Sequence, residues 1–466
     1  MQTLEVAQPR KTASTYKIIT WGCQMNVEDS EQMELFLQRM GLSEASSLEE
    51  ADVVLLNTCS VRRKPEEKAF SFLGELKKLK AQKEEMIIGV CGCMAQLRAE
   101  EIRKRCPHVD FIVGTAQIAQ IPGLITEAKQ ARRFEMRLDL PPRKGAIVTH
   151  LPSRAQPEKK ATKIKAFVPI QYGCDKFCTF CIVPITRGRE RSRPTDDILN
   201  EIRILAEKGV KEFTLLGQTV NSYGKNLLEG RVPFSRLLWK IAEIEGVERI
   251  RFTSPYPRDF RDDLINTIRD CDKVMEHVHL PLQSGDNDVL KEMRRVYTVE
   301  QFKEIYWKLR EIPGIAITTD IIVGFPGETE TQFENTLRVV EELRFDSAFM
   351  FAYSPRPGTP AAQRTDQIPH NVKKKRLQEL IALQNRITCE VNATEVGKVF
   401  EVMVEGFSEK EPDKMISTNG DSKWMKGLTR HNKTVHFLGE NKIEAGEIVS
   451  VRATESHLWG FYAEIL

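Results

Sequence analysis

The run QYGCDKFCTFCIVPITRGRERSR, residues 171–193, decides how the whole chain is read. It carries three cysteines, Cys174, Cys178 and Cys181, in the spacing CxxxCxxC. A structural zinc site closes with four ligands, most often from two paired knuckles. No second CxxC or HxxxH follows Cys181 at the usual distance, and His150 lies well back in another stretch. An iron–sulfur cluster on three thiolates is the sharper alternative, because it leaves one iron open to a cofactor or substrate. The absent fourth ligand is then the point of the site.

Directly ahead of this loop stands AFVPIQ (166–171), a strand candidate, and five more follow: EFTLLG (212–217), RIRFTS, HVHLPL (277–282), AITTDIIVG (316–324) and SAFMFAY (347–353). Helical patterns separate them. After the first, Ile198, Ile202 and Leu205 share one face, Asp196 and Asp197 occupy the first turn, and Gly209 marks a stop. Repeated βα units build a barrel, and six are fewer than the eight that close one, so an open partial barrel is expected over residues 160–390. Polar residues gather past the strand ends: Gln218 and Asn221, Gln283 and Ser284, Asp320, and Glu328. Of these, Gln218, Gln283 and Asp320 are candidates for cofactor contacts, chosen because they follow barrel strands. Gly324 and Gly327 read as turn formers, since no GxGxxG pattern surrounds them.

Towards the N-terminus the pattern is again α/β. YKIIT (16–20), VVLLN (53–57), MIIGV (86–90) and FIV (111–113) suit a buried parallel sheet, with amphipathic segments between them. This predicts a small doubly wound domain over residues 15–130. Cys23 follows the first strand, Cys59 the second and Cys93 the third. Parallel strands finish at one edge of a sheet, so these three would converge where ligands collect. Cys91, in VCGC, is an alternative third member. Cys106, Cys271 and Cys389 read as ordinary packing.

Residues 131–159 read as a basic surface linker: from Arg132 to Lys165 ten Lys/Arg stand against three Asp/Glu, a net of +7 by subtraction. The chain's net charge is only +3, so the overall balance does not announce a nucleic-acid partner. No run of 18 apolar residues appears, so no membrane span is expected. The first fifteen residues lack an apolar core and read as a loose tail, and ten cysteines without an export signal imply a reducing, cytoplasmic setting. Past a long basic helix, residues 393–466 change to short strands between Gly and Asn turns, a small β-barrel of the oligonucleotide-binding type. Trp424 and Trp459 would stack on RNA bases; the alternative is that both fill the barrel, Trp459 above all.

The CxxxCxxC loop, set after the first strand of a six-unit βα region, resembles that of the radical S-adenosylmethionine enzymes. With a second set of three cysteines in an N-terminal α/β domain and a C-terminal β-barrel, the chain resembles the methylthiotransferases of that class from about Tyr16 to its end. The resemblance implies two 4Fe–4S clusters facing each other. Cys174, Cys178 and Cys181 would hold the one whose open iron binds S-adenosylmethionine through its amino and carboxylate groups. Cys23, Cys59 and Cys93 would hold an auxiliary one that carries or supplies sulfur. The C-terminal barrel would be the RNA-binding TRAM domain. TWGCQMN, LLNTCSVR, TRGRERSRP, HLPLQSG, IVGFPGET and RPGTPAA look most like the tRNA branch, the MiaB-type enzymes, which methylthiolate carbon 2 of N6-isopentenyl-adenosine next to the anticodon.

The partners implied are a tRNA anticodon stem-loop, an external electron donor and a sulfur donor. One S-adenosylmethionine would methylate the sulfur and a second would supply the radical; no general acid or base is evident. Arg187, Arg189, Arg191 and Arg193 alternate, so an extended backbone would put all four on one face for RNA phosphates, unless they pair internally with Glu190 and neighbouring acids. The alternatives are the same chemistry on threonylcarbamoyl-adenosine or on a ribosomal-protein aspartate. A zinc-stabilised RNA-binding protein without catalysis is the rival of another class.

Overall fold

The computed structural model describes residues 14–60, 63–131, 133–142, 163–227, 230–408, 422–440 and 442–466. Of the expected tail and linker, residues 1–13, 132 and 143–159 lie outside them. The chain divides into two compact units, Met1–Pro152 with Ile185–Gly188, and Ser153–Pro184 with Arg189–Leu466.

The first unit is built on strands β1 (Thr15–Trp21), β2 (Ser43–Glu44), β3 (Val53–Thr58), β4 (Ile87–Cys91), β5 (Phe111–Val113) and β6 (Glu135–Arg137). They form one parallel sheet in the order β2-β1-β3-β4-β5-β6. β3 and β4 are buried at every residue, which is why VVLL and MIIGV read as apolar runs. Alternate side chains face opposite layers. Val54, Leu56, Ile88, Val90 and Ile112 share a core with Ala69, Leu73 and Leu76 of α2 (Arg63–Gln82) and with Met94 and Ile102 of α3 (Gly92–Arg105). Val53, Leu55, Ile87 and Phe111 pack with Met33 and Leu37 of α1 (Gln24–Arg39) and with Leu124 and Ile125 of α4 (Ile121–Ala131). Helices on both faces make the domain doubly wound, as expected. β6 is an addition: Glu135–Arg137, read as linker, pairs with β5 as an edge strand.

In the second unit, β7 (Lys165–Pro169) precedes a short hairpin of β8 (Gln171–Tyr172) and β9 (Arg191–Ser192). β10 (Glu212–Leu216), β11 (Arg249–Phe252), β12 (His277–His279), β13 (Ala316–Val323) and β14 (Ser347–Ala352) complete the six expected parallel strands. They fall into two three-stranded sheets, β11-β10-β7 and β12-β13-β14. A bridge between Ile250 and Val274 links them, with Met275 N–H donating to the Ile250 carbonyl at 3.0 Å. The partial barrel is thus seamed at its middle. One continuous core fills it, drawing Ile198, Ile202 and Leu205 from the helix Thr195–Glu207, and Gly209 ends that helix region at φ +101°.

Glu328 serves the fold. Its carboxylate accepts from the Gly324 N–H at 2.6 Å and pairs with the Arg376 guanidinium at 2.8 Å, both side chains being buried. Gly324 and Gly327 hold φ of +70° and +77°, as turn formers. Glu328→Ala strands a buried guanidinium, though Arg376 keeps Glu330 at 2.9 Å, and should destabilise the protein by about 3 kcal/mol in urea titration.

β15 (Val399–Phe407), β16 (Ser422–Thr429), β17 (Thr434–Glu440), β18 (Ile448–His457) and β19 (Gly460–Ile465) close a small barrel in the order β15-β16-β17-β19-β18. Phe400, Val402, Met425, Phe437, Val451 and Phe461 fill it. Two arginines of β11 anchor it to the larger barrel. Arg249 donates to the Leu428 carbonyl at 2.8 Å, and Arg251 to those of Thr429 at 2.8 Å and Arg430 at 3.0 Å. Among the described residues, no helix is long and apolar enough to cross a membrane.

Candidate active site

The first unit gathers Cys23, Cys59 and Cys93 at the carboxyl ends of β1, β3 and β4, three adjacent strands of the sheet. Cys23 caps the start of α1, and its thiol and N–H donate to the Asn26 side-chain carbonyl at 3.3 and 3.4 Å. Asn26 is held by Asn57, whose amide donates to the Asn26 carbonyl at 2.8 Å and to the Ser30 hydroxyl at 2.9 Å. Cys93 reaches the group because the chain turns at Gly92, with φ +89°; a Cβ there would lie 2.4 Å from Asn57 Oδ1 and 2.6 Å from the Thr58 carbonyl. Cys91 is left behind in β4, buried in the hydrophobic core beside Met33 and Phe111. The third sulfur at this edge is therefore that of Cys93.

The electrostatics follow from this meeting. The Cys59 thiol keeps its proton, pushed up by its hydrogen bonds to Cys23 and Cys93. Those bonds draw Cys23 down to about 6 and Cys93 to about 7, with the Arg187 guanidinium adding to both. Burial pushes Cys91 up instead. The buried Arg187 is fixed by Asp29 at 2.7 Å. Thr58 and Ser60, flanking Cys59, bury hydroxyl oxygens with no partner among the described residues. Three thiols, two of them leaning to thiolate beside a cation, with spare hydroxyls around them, fit an iron–sulfur cluster.

In the second unit Cys174, Cys178 and Cys181 lie on the loop after β8, Cys174 and Cys178 being buried. Thr179 pins the loop, its N–H donating to the Met293 carbonyl at 3.1 Å and its hydroxyl to that of Glu292 at 2.8 Å. Phe177 sits at φ +51°, a left-handed conformation that costs a non-glycine residue about 1 kcal/mol or more and marks functional loops. Burial pushes the Cys174 thiol up to about 11 and Cys181 to about 12, and the neighbouring Cys178 adds to both. Iron supplies the positive charge that thiolates buried here would need. No three His, Cys, Asp or Glu side chains among the described residues are set to hold a single metal ion. Thiolates on a four-iron cluster each bind a different iron, so their triangle is wider than one ion's.

At the strand ends, Gln218 follows β10 and Gln283 lies past β12, and each buries a side-chain carbonyl oxygen without a partner among the described residues. Gln283 also holds φ +72°. Asp320 departs from expectation: it lies within β13, and His279 Nε2 stands 3.2 Å from its carboxylate. Gln171 joins Gln218 and Gln283 without standing out in the sequence. It is fully buried, with neither amide atom partnered among the described residues, and its only signal is its place at the end of AFVPIQ. These unsatisfied amides fit a polar cofactor at the barrel mouth.

The four arginines do not share a face. Arg187 belongs to the first unit and pairs with Asp29, Arg193 pairs with Glu201 at 2.7 Å, and Arg191 is buried. Only Arg189 reaches the surface, where it bonds Asp175 at 2.6 Å and covers the Phe177 ring at 5.0 Å. The extended backbone needed for one face covers Arg191–Ser192 alone. Glu190 forms no ion pair with them among the described residues; it is buried and accepts from the Thr219 hydroxyl at 3.1 Å. Trp459, expected inside the small barrel, is 71% exposed, and Trp424 packs edge-on against Tyr462 at 6.0 Å. Cys106 and Cys271 are buried as expected, whereas Cys389 is exposed.

Comparison with known proteins places these features. Residues 15–114 match the family described as Uncharacterized protein family UPF0004, and residues 168–340 match the Radical SAM superfamily. Among solved structures, a radical S-adenosylmethionine methyltransferase, TsrM, from Kitasatospora setae shares the fold. Its TM-score is 0.56 at 11% identity, over 81% of this chain and 89% of that one. Loop and barrel together define a radical S-adenosylmethionine enzyme, a class that uses that cofactor with a 4Fe–4S cluster. The tRNA-2-methylthio-N(6)-dimethylallyladenosine synthase of Thermoanaerobacter pseudethanolicus is 46% identical over 99% of this chain and 95% of its own. That of Moorella thermoacetica is 45% identical over 98% of this chain and 99% of its own. The chain belongs to the tRNA-2-methylthio-N(6)-dimethylallyladenosine synthase family.

Proposed function

We propose that this protein installs a methylthio group on carbon 2 of N6-isopentenyl-adenosine next to the anticodon of tRNA. The observation that carries this reading is the pair of three-cysteine sets, one in each unit: the first at the carboxyl ends of parallel strands, the second on the loop that follows β7 and β8. Radical generation needs one set; a second is what a sulfur-transferring enzyme adds. When bound, S-adenosylmethionine and two 4Fe–4S clusters supply the radical and the sulfur.

The chain's own residues hold and orient. Cys174, Cys178 and Cys181 hold one cluster, and Cys23, Cys59 and Cys93 the other, with Arg187 balancing the charge of the second set. Gln171, Gln218 and Gln283 offer buried polar atoms to the cofactor. Trp459 and Arg189 present a stacking ring and a cation to the anticodon stem-loop. The division into an N-terminal domain, a basic linker, a radical core and a TRAM barrel matches these tasks. Electrons and sulfur come from external donors in the cytoplasm.

The test is product analysis on protein purified without oxygen, given dithionite, sulfide, S-adenosylmethionine and tRNA bearing isopentenyl-adenosine. Nucleoside mass spectrometry should show the methylthio derivative, and tRNA bearing threonylcarbamoyl-adenosine should remain unchanged. The reverse would move the substrate to the second tRNA. About eight irons and eight sulfides per chain are expected; zinc in their place would overturn the enzyme reading.

A further inference from the structure

A buried charge persists only where something of opposite sign or a full set of hydrogen bonds compensates it. Arg187, Arg193, Arg251 and Arg376 each face a carboxylate. Arg295 is 8% exposed, and among the described residues its three hydrogen-bond partners include no carboxylate. It donates to the Tyr297 hydroxyl at 3.0 Å, to the Pro281 carbonyl at 3.4 Å and to the sulfur of Cys178 at 3.4 Å. The rings of Tyr256 and Tyr297 stand over it at 4.6 and 5.1 Å. Both tyrosines are themselves fixed: Tyr297 donates to the Pro281 and Leu282 carbonyls at 2.9 Å, and Tyr256 accepts from the Val296 N–H at 3.3 Å. The guanidinium is therefore caged by two phenol rings, the Tyr297 hydroxyl and a backbone carbonyl, with the sulfur of Cys178 as its remaining contact.

We propose that Arg295 is the counter-charge of the cysteine loop, donating to the Cys178 sulfur and thereby setting the reduction potential of the cluster the loop holds. The proposal rests on the reading that Cys174, Cys178 and Cys181 carry a 4Fe–4S cluster. Reduction adds one electron, and so one negative charge, to a site already carrying three thiolates; the electron comes from a low-potential one-electron donor, dithionite in the test. A fixed cation and an N–H donated to a ligand sulfur both favour the more negative state. Arg295 touches a ligand and not the reacting atoms, so it is a positioning residue.

The experiment is a redox titration of the full-length protein followed by electron paramagnetic resonance, reading the signal that changes when S-adenosylmethionine is added. In Arg295→Gln the midpoint should move to more negative potential, lowering the reduced-to-oxidised ratio at a fixed poise about tenfold. Arg295→Lys, which keeps the charge, should recover most of it. Iron uptake lost in Arg295→Gln and kept in Arg295→Lys would support the same role. An unmoved midpoint in Arg295→Gln, equal shifts in both variants, or iron lost from both would overturn it and leave Arg295 a packing residue. Absence of iron from the unaltered protein would remove the cluster reading itself, and the proposal with it.

Discussion

Cys178→Ala should abolish methylthiolation, by about a thousandfold or more, while leaving the fold in place. Radical formation has no parallel route through side chains, so loss of the site removes the whole acceleration and not a share of it. The fold should survive because Cys178 belongs to none of the hydrophobic clusters; its neighbours are loop residues and Arg295. The variant should bind about four irons in place of about eight and form no 5′-deoxyadenosine from S-adenosylmethionine. Cys271→Ala is the matching control. Cys271 is packed in the large core, so its loss should cost about 1 kcal/mol of stability and leave iron and product unchanged. Full iron in Cys178→Ala would mean the loop holds no cluster. Lost iron with unaltered 5′-deoxyadenosine would separate the loop from the radical step.

The parts legible in the sequence are those whose physics is local. VVLL could be read because a parallel strand buried on both sides is apolar along most of its length. The convergence of Cys23, Cys59 and Cys93 could be read because strand ends share an edge whatever the helices between them do. What failed depended on distant partners. The arginine run looks like an exposed basic face, yet Asp29, which buries Arg187, lies 158 residues away in sequence. Arg295 stands in an unremarkable KEMRRVYT, and nothing there announces that its neighbour in space is Cys178, 117 residues earlier. β6 was invisible because an edge strand of three half-buried residues, EMR, has neither the apolar run nor the length of a strand signal. Asp320 misleads because the run AITTDIIVG shows where the strand lies and not which way each residue faces; paired with His279, it belongs to the body of the barrel. Trp459 stays outside because Phe400, Phe437 and Phe461 already fill the small barrel, a packing no local pattern announces.

Changing Cys23, Cys59 and Cys93 together to Ala should separate the two halves of the chemistry. The second unit keeps its own cysteine set, so about four irons should remain and S-adenosylmethionine should still yield 5′-deoxyadenosine. Methylthiolation should fall about a thousandfold or more, because the base radical left by hydrogen abstraction then has no sulfur to bond to. Cys91 makes the test sharp. It lies two residues from Cys93 and is equally cysteine, but it points into the core while Cys93 meets Cys59 across the Gly92 turn. Cys91→Ala should therefore keep about eight irons and full activity, at a cost of about 1 kcal/mol from the small cavity left in the sheet's packing. Cys93→Ala alone should lose the auxiliary iron as completely as the triple change does. If Cys91→Ala loses iron and Cys93→Ala does not, the roles of the two are exchanged. If neither does, the thiols at this edge hold no cluster, and the sulfur must enter by another route.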